Sequence, residues 1–335
     1  MSREKKYEID MCNGSIMDKL ISFALPLMLS GMLQLMFNAV DIVVVGRFSG
    51  SQSLAAVGAT TALIYLFTNL FIGISLGANV LAARYYAAGK HEEMSETVHT
   101  AMMFALISGI IMIFVGLFFS RLALEIMGTP SDVIDQATLY MRIYFFGMPF
   151  FMLYNYGSAI LRAVGDTKRP LIFLIISGVV NACLNMLLVI VFHLDVAGVA
   201  IATVTSQFIS CVLVIGCLYR TKSSYQLRFS RLKIRKEYLK PICQVGIPAG
   251  IQSTVINFSN ALLQSSVNSF GSTTMAGYTA ANNIFGFLYV SVNAITQACM
   301  SFTSQNYGLR KLKRMDKILM DCLILTVIVS LVLGG

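Results

Sequence analysis

The chain has no tryptophan, only six prolines in 335 residues, and charged side chains at just 12% of positions. A soluble domain of this length would carry about twice that share of charge, so an ordinary water-facing surface is excluded. The seven cysteines (12, 183, 211, 217, 243, 299 and 322) form no CxxC pair and no metal-ligand spacing. They read as small apolar fillers, not as a disulfide framework. Three scattered histidines (91, 99 and 193) add no metal site, and no cofactor is expected. The first apolar segment is too long for a signal-peptide core, and no clear small-residue cleavage site follows it. Retention of the N-terminus is therefore expected.

Apolar sequence is what the chain has in excess: 56% of residues are hydrophobic and the mean hydropathy is +0.74. The apolar stretches are too long for barrel strands, so the expected class is an all-α integral membrane protein. Cutting at polar and turn-rich breaks predicts nine spans, near 20–46, 54–82, 97–120, 136–157, 171–193, 197–219, 241–268, 276–304 and 318–335. The uncharged run from Pro241 to Leu309 is 69 residues long, about 100 Å as a single helix. It must fold back, and "NSFGSTTMAGYT" (268–279) is the obvious place.

The net charge of +9 could suggest a nucleic-acid partner, so its placement matters. With a cytoplasmic N-terminus and alternating sides, 22 of the 25 basic residues fall inside, leaving Arg47, Arg121 and Arg142. That is a strong positive-inside pattern. The basic stretch 220–240 then reads as topology and contact with anionic lipid headgroups. Nucleic-acid binding is disfavoured, and the expected location is the inner (cytoplasmic) membrane, with many crossings.

An offset of 222 residues aligns the first two spans with the seventh and eighth without a gap. Pro26 falls on Pro248, Asn38 on Asn260, Ala59 on Ala281 and Tyr85 on Tyr307. Six spans per repeat is an even number, so both copies would enter the membrane from the same side. The expected architecture is a two-lobe parallel repeat, of the kind some secondary transporters use, with a site between the lobes. The parts are a cytoplasmic N-terminus (1–19), an N-lobe of six helices (20–219), a basic linker (220–240) and a partial C-lobe of three helices (241–335). A duplication kept for packing alone would give the same alignment.

Asp41 stands out. It follows twenty-one uncharged residues, Leu20 to Val40, and five more precede Arg47. Placing Asp at a membrane-helix centre costs about 2.5–3.5 kcal/mol, and such groups usually face a bundle interior or watery cavity. No span offers a Lys or Arg at matching depth. A buried carboxylate can exchange protons near neutral pH, because an apolar setting disfavours its ionised form. Ionised, it would attract an organic cation or Na⁺; protonated, it would release one.

Gln34, Asn38 and Asp41 share one helix face at i, i+4 and i+7. Further polar positions inside the spans are Asn155, Asn181, Asn185, Thr203, Asn257, Asn260, Gln264, Asn282 and Asn293. Any one of these amides or hydroxyls could simply join helices by hydrogen bonds.

The segment "DIVVVGRFSGSQSLAAVG" (41–58) resembles the first-to-second-helix region of the multidrug and toxic compound extrusion (MATE) transporters. "LRAVGDTKRP" (161–170) resembles that family's cytoplasmic signature, and "ALP" with "SQNYG" (304–308) extends the likeness over essentially the whole chain. The resemblance implies a twelve-helix, two-lobe antiporter exporting small amphipathic or cationic compounds in exchange for H⁺ or Na⁺. It assigns ion coupling to Asp41, with Asn181, Asn185 and Thr203 beside it, and helix bending to Pro26. An often acidic family position is Asn185 here, and the seventh-helix glutamate of some relatives is absent. The loss of a second acidic ligand favours H⁺ slightly over Na⁺ at Asp41. In the signature loop, Gly165 and Asp166 suit a tight turn, and Arg162 reads as an inside anchor.

Two other classes compete. A lipid-linked saccharide flippase would need membrane-embedded Arg or Lys, which the spans lack apart from Arg142 near one end. An enzyme would need a nucleophile–base pair or a metal motif, and none is recognisable. With three spans after the linker instead of six, the chain is expected to be a monomer lacking its last three helices, and a non-transporting fragment is a further alternative.

Overall fold

The computed structural model describes residues 7–268 and 272–334. Ten α-helices follow one another: α1 (Met17–Phe48), α2 (Gly50–Ala87), α3 (His91–Ile126), α4 (Ile134–Phe146), α5 (Met148–Ala163), α6 (Lys168–Asn185), α7 (Asp195–Arg220), α8 (Lys236–Asn268), α9 (Ser272–Gly308) and α10 (Leu312–Gly334). Among the described residues there is no strand. Helices dominate because the apolar runs must satisfy every backbone N–H and C=O internally.

Among the described residues, seven helical segments are long and apolar enough to cross a membrane: Met17–Phe48, Gly50–Ala87, His91–Ile126, Lys168–Val191, Asp195–Arg220, Phe285–Gly308 and Leu312–Gly334. Two of the nine expected spans are not among them. The expected fourth span, 136–157, is broken at Gly147 into α4 and α5, of 13 and 16 residues. Pro149 sits in the first turn of α5 and cannot donate to the ladder above it. The expected seventh span lies in α8, where two prolines and many polar side chains interrupt the apolar run. Helix α8 ends at Asn268 and α9 starts at Ser272, so residues 269–271 of the expected fold-back lie outside the described residues.

One apolar cluster unites α2 to α7 with the end of α1 and the start of α8, around Tyr156, Phe145, Met141 and Met102. A second joins the start of α1 (Leu20, Phe23, Leu27) to α9 (Ile295, Phe302) and α10 (Ile318, Cys322). Outward faces stay apolar, as at Phe114, Phe118, Leu122 and Val179. Apolar side chains turned outward suit lipid tails, which need no polar cover.

Helices α2 and α8 cross at backbone contact. Gly73 and Gly77 on α2 meet Gly246 and Gly250 on α8, and a Cβ on Gly73, Gly77 or Gly246 would run into the opposing backbone. Each pair is a GxxxG motif, the spacing that lets membrane helices pack this closely.

The end of the bundle that carries the basic loops is knitted by residues 7–16. The Glu8 carboxylate accepts from Tyr86 Oη at 2.9 Å and from Tyr225 Oη at 2.8 Å. Ile9 N donates to Gly165 O at 3.2 Å. Gly165 has φ +94°, and a Cβ there would strike Ile9, so glycine is required both for the turn and for the approach.

Candidate functional site

Helix α1 carries Asp41 in its second half, facing α6 and α7. Asn185 Nδ2 donates to Asp41 Oδ1 and also to Asn181 Oδ1 at 3.2 Å. Asn181 Nδ2 reaches Thr203 Oγ1 at 3.5 Å, and the Thr203 hydroxyl faces the Asp41 carboxylate as well. Three helices thus contribute four polar groups to one connected chain. Asn181 and Asn185 are both buried, one helical turn apart on α6, so one face of that helix presents both.

The local backbone is adapted to this point. Helix α6 passes directly into a π-helical stretch, Met186–Val191, whose wider turn begins one residue after Asn185. Such insertions are rare in α-helices and occur frequently at functional sites. Asn185 Oδ1 is buried and accepts no hydrogen bond. An amide oxygen without a donor in an apolar setting is costly.

The other polar positions read from the sequence divide into groups. Asn38 is exposed on α1 and donates to Tyr65 Oη at 3.5 Å; Gln34, one turn earlier, is also exposed. Asn257, Asn260, Asn282 and Asn293 are exposed on α8 and α9, and Asn257 donates to Ser253 O within its own helix. The side chain of Gln264 lies outside the described residues. Asn155 donates to Phe151 O at 2.8 Å, a bond within α5. Among the described residues no hydrogen bond joins Asn155 to the Asp41 chain.

Pro26 is buried in the first half of α1, and Ser30 Oγ donates to its carbonyl at 2.8 Å. In the signature loop Asp166 is fully buried, accepts from Arg169 N at 3.1 Å and is ion-paired with the Arg169 guanidinium. Burial pushes the Asp166 carboxyl up, and the neighbouring Arg169 charge opposes that. Arg162 closes α5 beside this loop and is half-buried. The loop is therefore built by Gly165 and Asp166 as a packed turn.

Three tyrosines escaped the sequence reading. Tyr65 is the partner of Asn38. Tyr140 and Tyr144 stack on each other, 6.2 Å between centroids, close enough to Asp41 to feel its charge. Their i, i+4 spacing on the fourth span was the available signal.

The MatE family model matches residues 26–187 and 248–334, taking in Asp41, Asn181 and Asn185. The chain belongs to the MatE family of multidrug efflux transporters. It is 31% identical over 306 residues to the probable multidrug resistance protein YoeA of Bacillus subtilis, covering 89% of this chain and 66% of YoeA. The probable multidrug resistance protein YpnP of the same organism is 29% identical over 308 residues, covering 91% of this chain and 68% of YpnP. The chain thus spans about two thirds of the length of the curated relatives it matches. Among solved structures, a multidrug resistance MATE family transporter of the MOP superfamily, in an outward-facing conformation, superposes with a TM-score of 0.90. That match has 22% identity over 96% of this chain and 72% of the other, a likeness of fold.

Proposed function

We propose that the MatE chain works as a secondary-active antiporter, exporting small amphipathic or cationic organic compounds in exchange for H⁺ or Na⁺, with Asp41 as the coupling carboxylate. The observation that carries this reading is the Asp41–Asn185–Asn181–Thr203 chain, which draws an intramembrane carboxylate from α1 into contact with α6 and α7. A group whose charge alternates needs neighbours that can serve both states. The amide N–H of Asn185 serves the carboxylate, and its unpartnered oxygen serves the proton or cation that neutralises it.

Of the two ions, H⁺ is favoured. Among these four groups Asp41 alone is ionisable, whereas a Na⁺ site wants several oxygen ligands and compensating charge. Exposed amides on α1, α8 and α9 (Gln34, Asn38, Asn257, Asn260, Asn282 and Asn293) would line the substrate path. The arrangement in the membrane that fits this function has nine crossings in two lobes, 20–219 and 241–335, joined by the basic linker. The N-terminus is cytoplasmic, in the positive-inside sense.

The test is dye efflux from proteoliposomes holding the protein, under an imposed pH gradient or an imposed Na⁺ gradient. Lipophilic cations are the probes. Asp41→Asn is expected to fold normally and to lose gradient-driven efflux under whichever ion drives the parent. Undiminished gradient-driven efflux in that variant would overturn the assignment.

A further inference from the structure

At the basic end of the bundle a cavity of about 430 Å³ opens between the start of α1 and the start of α10. Gly14, Ser15, Ile16 and Met17 form one wall; Lys313, Arg314, Lys317 and Asp321 form the other. None of these residues belongs to the Asp41 site. We propose that this cavity binds a phosphate-bearing anion, such as the headgroup of an anionic phospholipid.

Three features of the cavity point to an anion. The wall from α10 brings three cations against one carboxylate, and neither Lys313, Arg314 nor Lys317 joins an ion pair among the described residues. The opposite wall is the N-terminus of a 32-residue helix, with Ile16 at the cap position and no side-chain cap bond. Its first backbone N–H groups have no intrahelical acceptor and carry the positive end of the helix dipole, an arrangement that suits phosphate. Finally, Arg314 is held in place by donation from Nη2 to Gly14 O at 2.9 Å, while its Nε is buried with no partner. A buried guanidinium N–H without an acceptor is costly, and Arg314 lines the cavity.

The neighbouring charges do not quench the site. Lys19 is turned away to Asp10 O and Asn13 O, and Lys311 to Cys12 O and Asn13 Oδ1. Asp18 and Asp316 are exposed, outside the cavity lining. The position also suits a lipid, because α1 and α10 turn Ile21, Leu25, Leu319 and Leu323 outward just beyond the cavity. Basic pockets between membrane helices on the cytoplasmic side are known headgroup sites.

The experiment is thermal melting of the purified protein in neutral detergent. Phosphatidylglycerol, phosphatidylcholine and inorganic phosphate are titrated separately. Phosphatidylglycerol is expected to raise the melting temperature saturably and phosphatidylcholine to leave it unchanged. The paired variant Lys313→Gln/Lys317→Gln, both at exposed positions, is expected to weaken the apparent affinity roughly tenfold or more. A control pair in the linker, Arg231→Gln/Lys233→Gln, is expected to keep the parent's affinity. Stabilisation by inorganic phosphate alone to the same plateau would identify a free anion as the ligand; stabilisation by phosphatidylglycerol only would identify the lipid. Equal loss in both paired variants would show diffuse attraction to basic loops and overturn the site. So would unchanged affinity in the first pair, or a failure of both anions to stabilise the parent.

Discussion

Asn79 and Ser301 stand 222 residues apart in the chain and meet through a hydrogen bond of 3.0 Å. Two residues related by a two-fold axis can touch each other only beside that axis. The offset is the one at which the sequence aligns with itself, and under the proposed parallel repeat the axis would pass between α2 and α9 at this contact. Asn79 is buried there and also donates to Ala159 O at 2.9 Å, linking α5 to the same point.

The Asn79 amide is therefore expected to matter for stability more than its size suggests. Asn79→Ala removes both bonds: Ala159 O keeps only its acceptor role within α5, and Ser301 Oγ loses its partner on α2. Interhelical hydrogen bonds in membranes average about 0.6 kcal/mol with a maximum near 1.7, so a loss of about 1–2 kcal/mol is expected. Ser301→Ala loses less, having one bond to give up. Reversible unfolding of both variants and their double mutant in mixed micelles measures the coupling. A coupling near zero would show that the pair is a by-product of packing.

A larger effect is expected at the α2–α8 crossing. Gly77→Val places a branched side chain where the Ile242 carbonyl and Gly246 N already lie. Neither backbone can give way, so the helices must separate along the whole contact. Monodisperse yield after detergent extraction is the measurement, and loss of most of it is expected. Gly216→Ala, at a position with open space around it, is the matched control and is expected to extract like the parent.

Much of this was legible in the sequence because the bilayer enforces a simple rule. Apolar runs of membrane length become helices, and a carboxylate among them must find polar company. The family resemblance, not the polar pattern, put Asp41, Asn181, Asn185 and Thr203 in one group; the structure places them in one hydrogen-bonded chain. Asn155 was read into a cavity on composition alone, yet its amide bonds to Phe151 O; nothing in its spacing tells a helix-internal bond from a cavity-facing one. The break at Gly147 was visible only as a Gly and a Pro two residues apart inside an apolar run. The facing glycines of α2 and α8 are 169 residues apart at Gly77 and Gly246, and no local pattern joins positions so distant. The tyrosines near Asp41 were passed over because aromatic residues are ordinary in apolar helices.

Pro26 tests whether α1 moves during transport. Lacking an N–H, it leaves the carbonyl one turn earlier without a helical donor, which makes a bend there inexpensive. Ser30 Oγ already contacts the Pro26 carbonyl, and such back-bonding also favours bending. Pro26→Ala restores a straight ladder. Expression and melting temperature are expected to hold or rise, while gradient-driven turnover falls. Parent-level turnover would remove the bend from the mechanism.

The last prediction concerns Asp166, where a packing role and a transport role give different results. Its carboxylate is fully buried, with the Arg169 side chain only 16% exposed. Arg169 is held further by donation from Nη1 to Cys217 Sγ at 3.0 Å and by the Tyr7 ring, 5.6 Å from its guanidinium carbon. Removing the carboxylate strands a largely buried cation, a change that typically costs about 3–5 kcal/mol. Asp166→Ala is therefore expected to melt earlier, at the lower end of that range because the guanidinium retains some access to water. Asp166→Ala combined with Arg169→Met removes both charges and is expected to recover most of the loss. Efflux per folded molecule is expected to stay near the parent's in the double variant, since a packed turn needs a well-filled site and not a charge. Recovery of stability without recovery of efflux would instead assign the Asp166–Arg169 pair a direct part in transport.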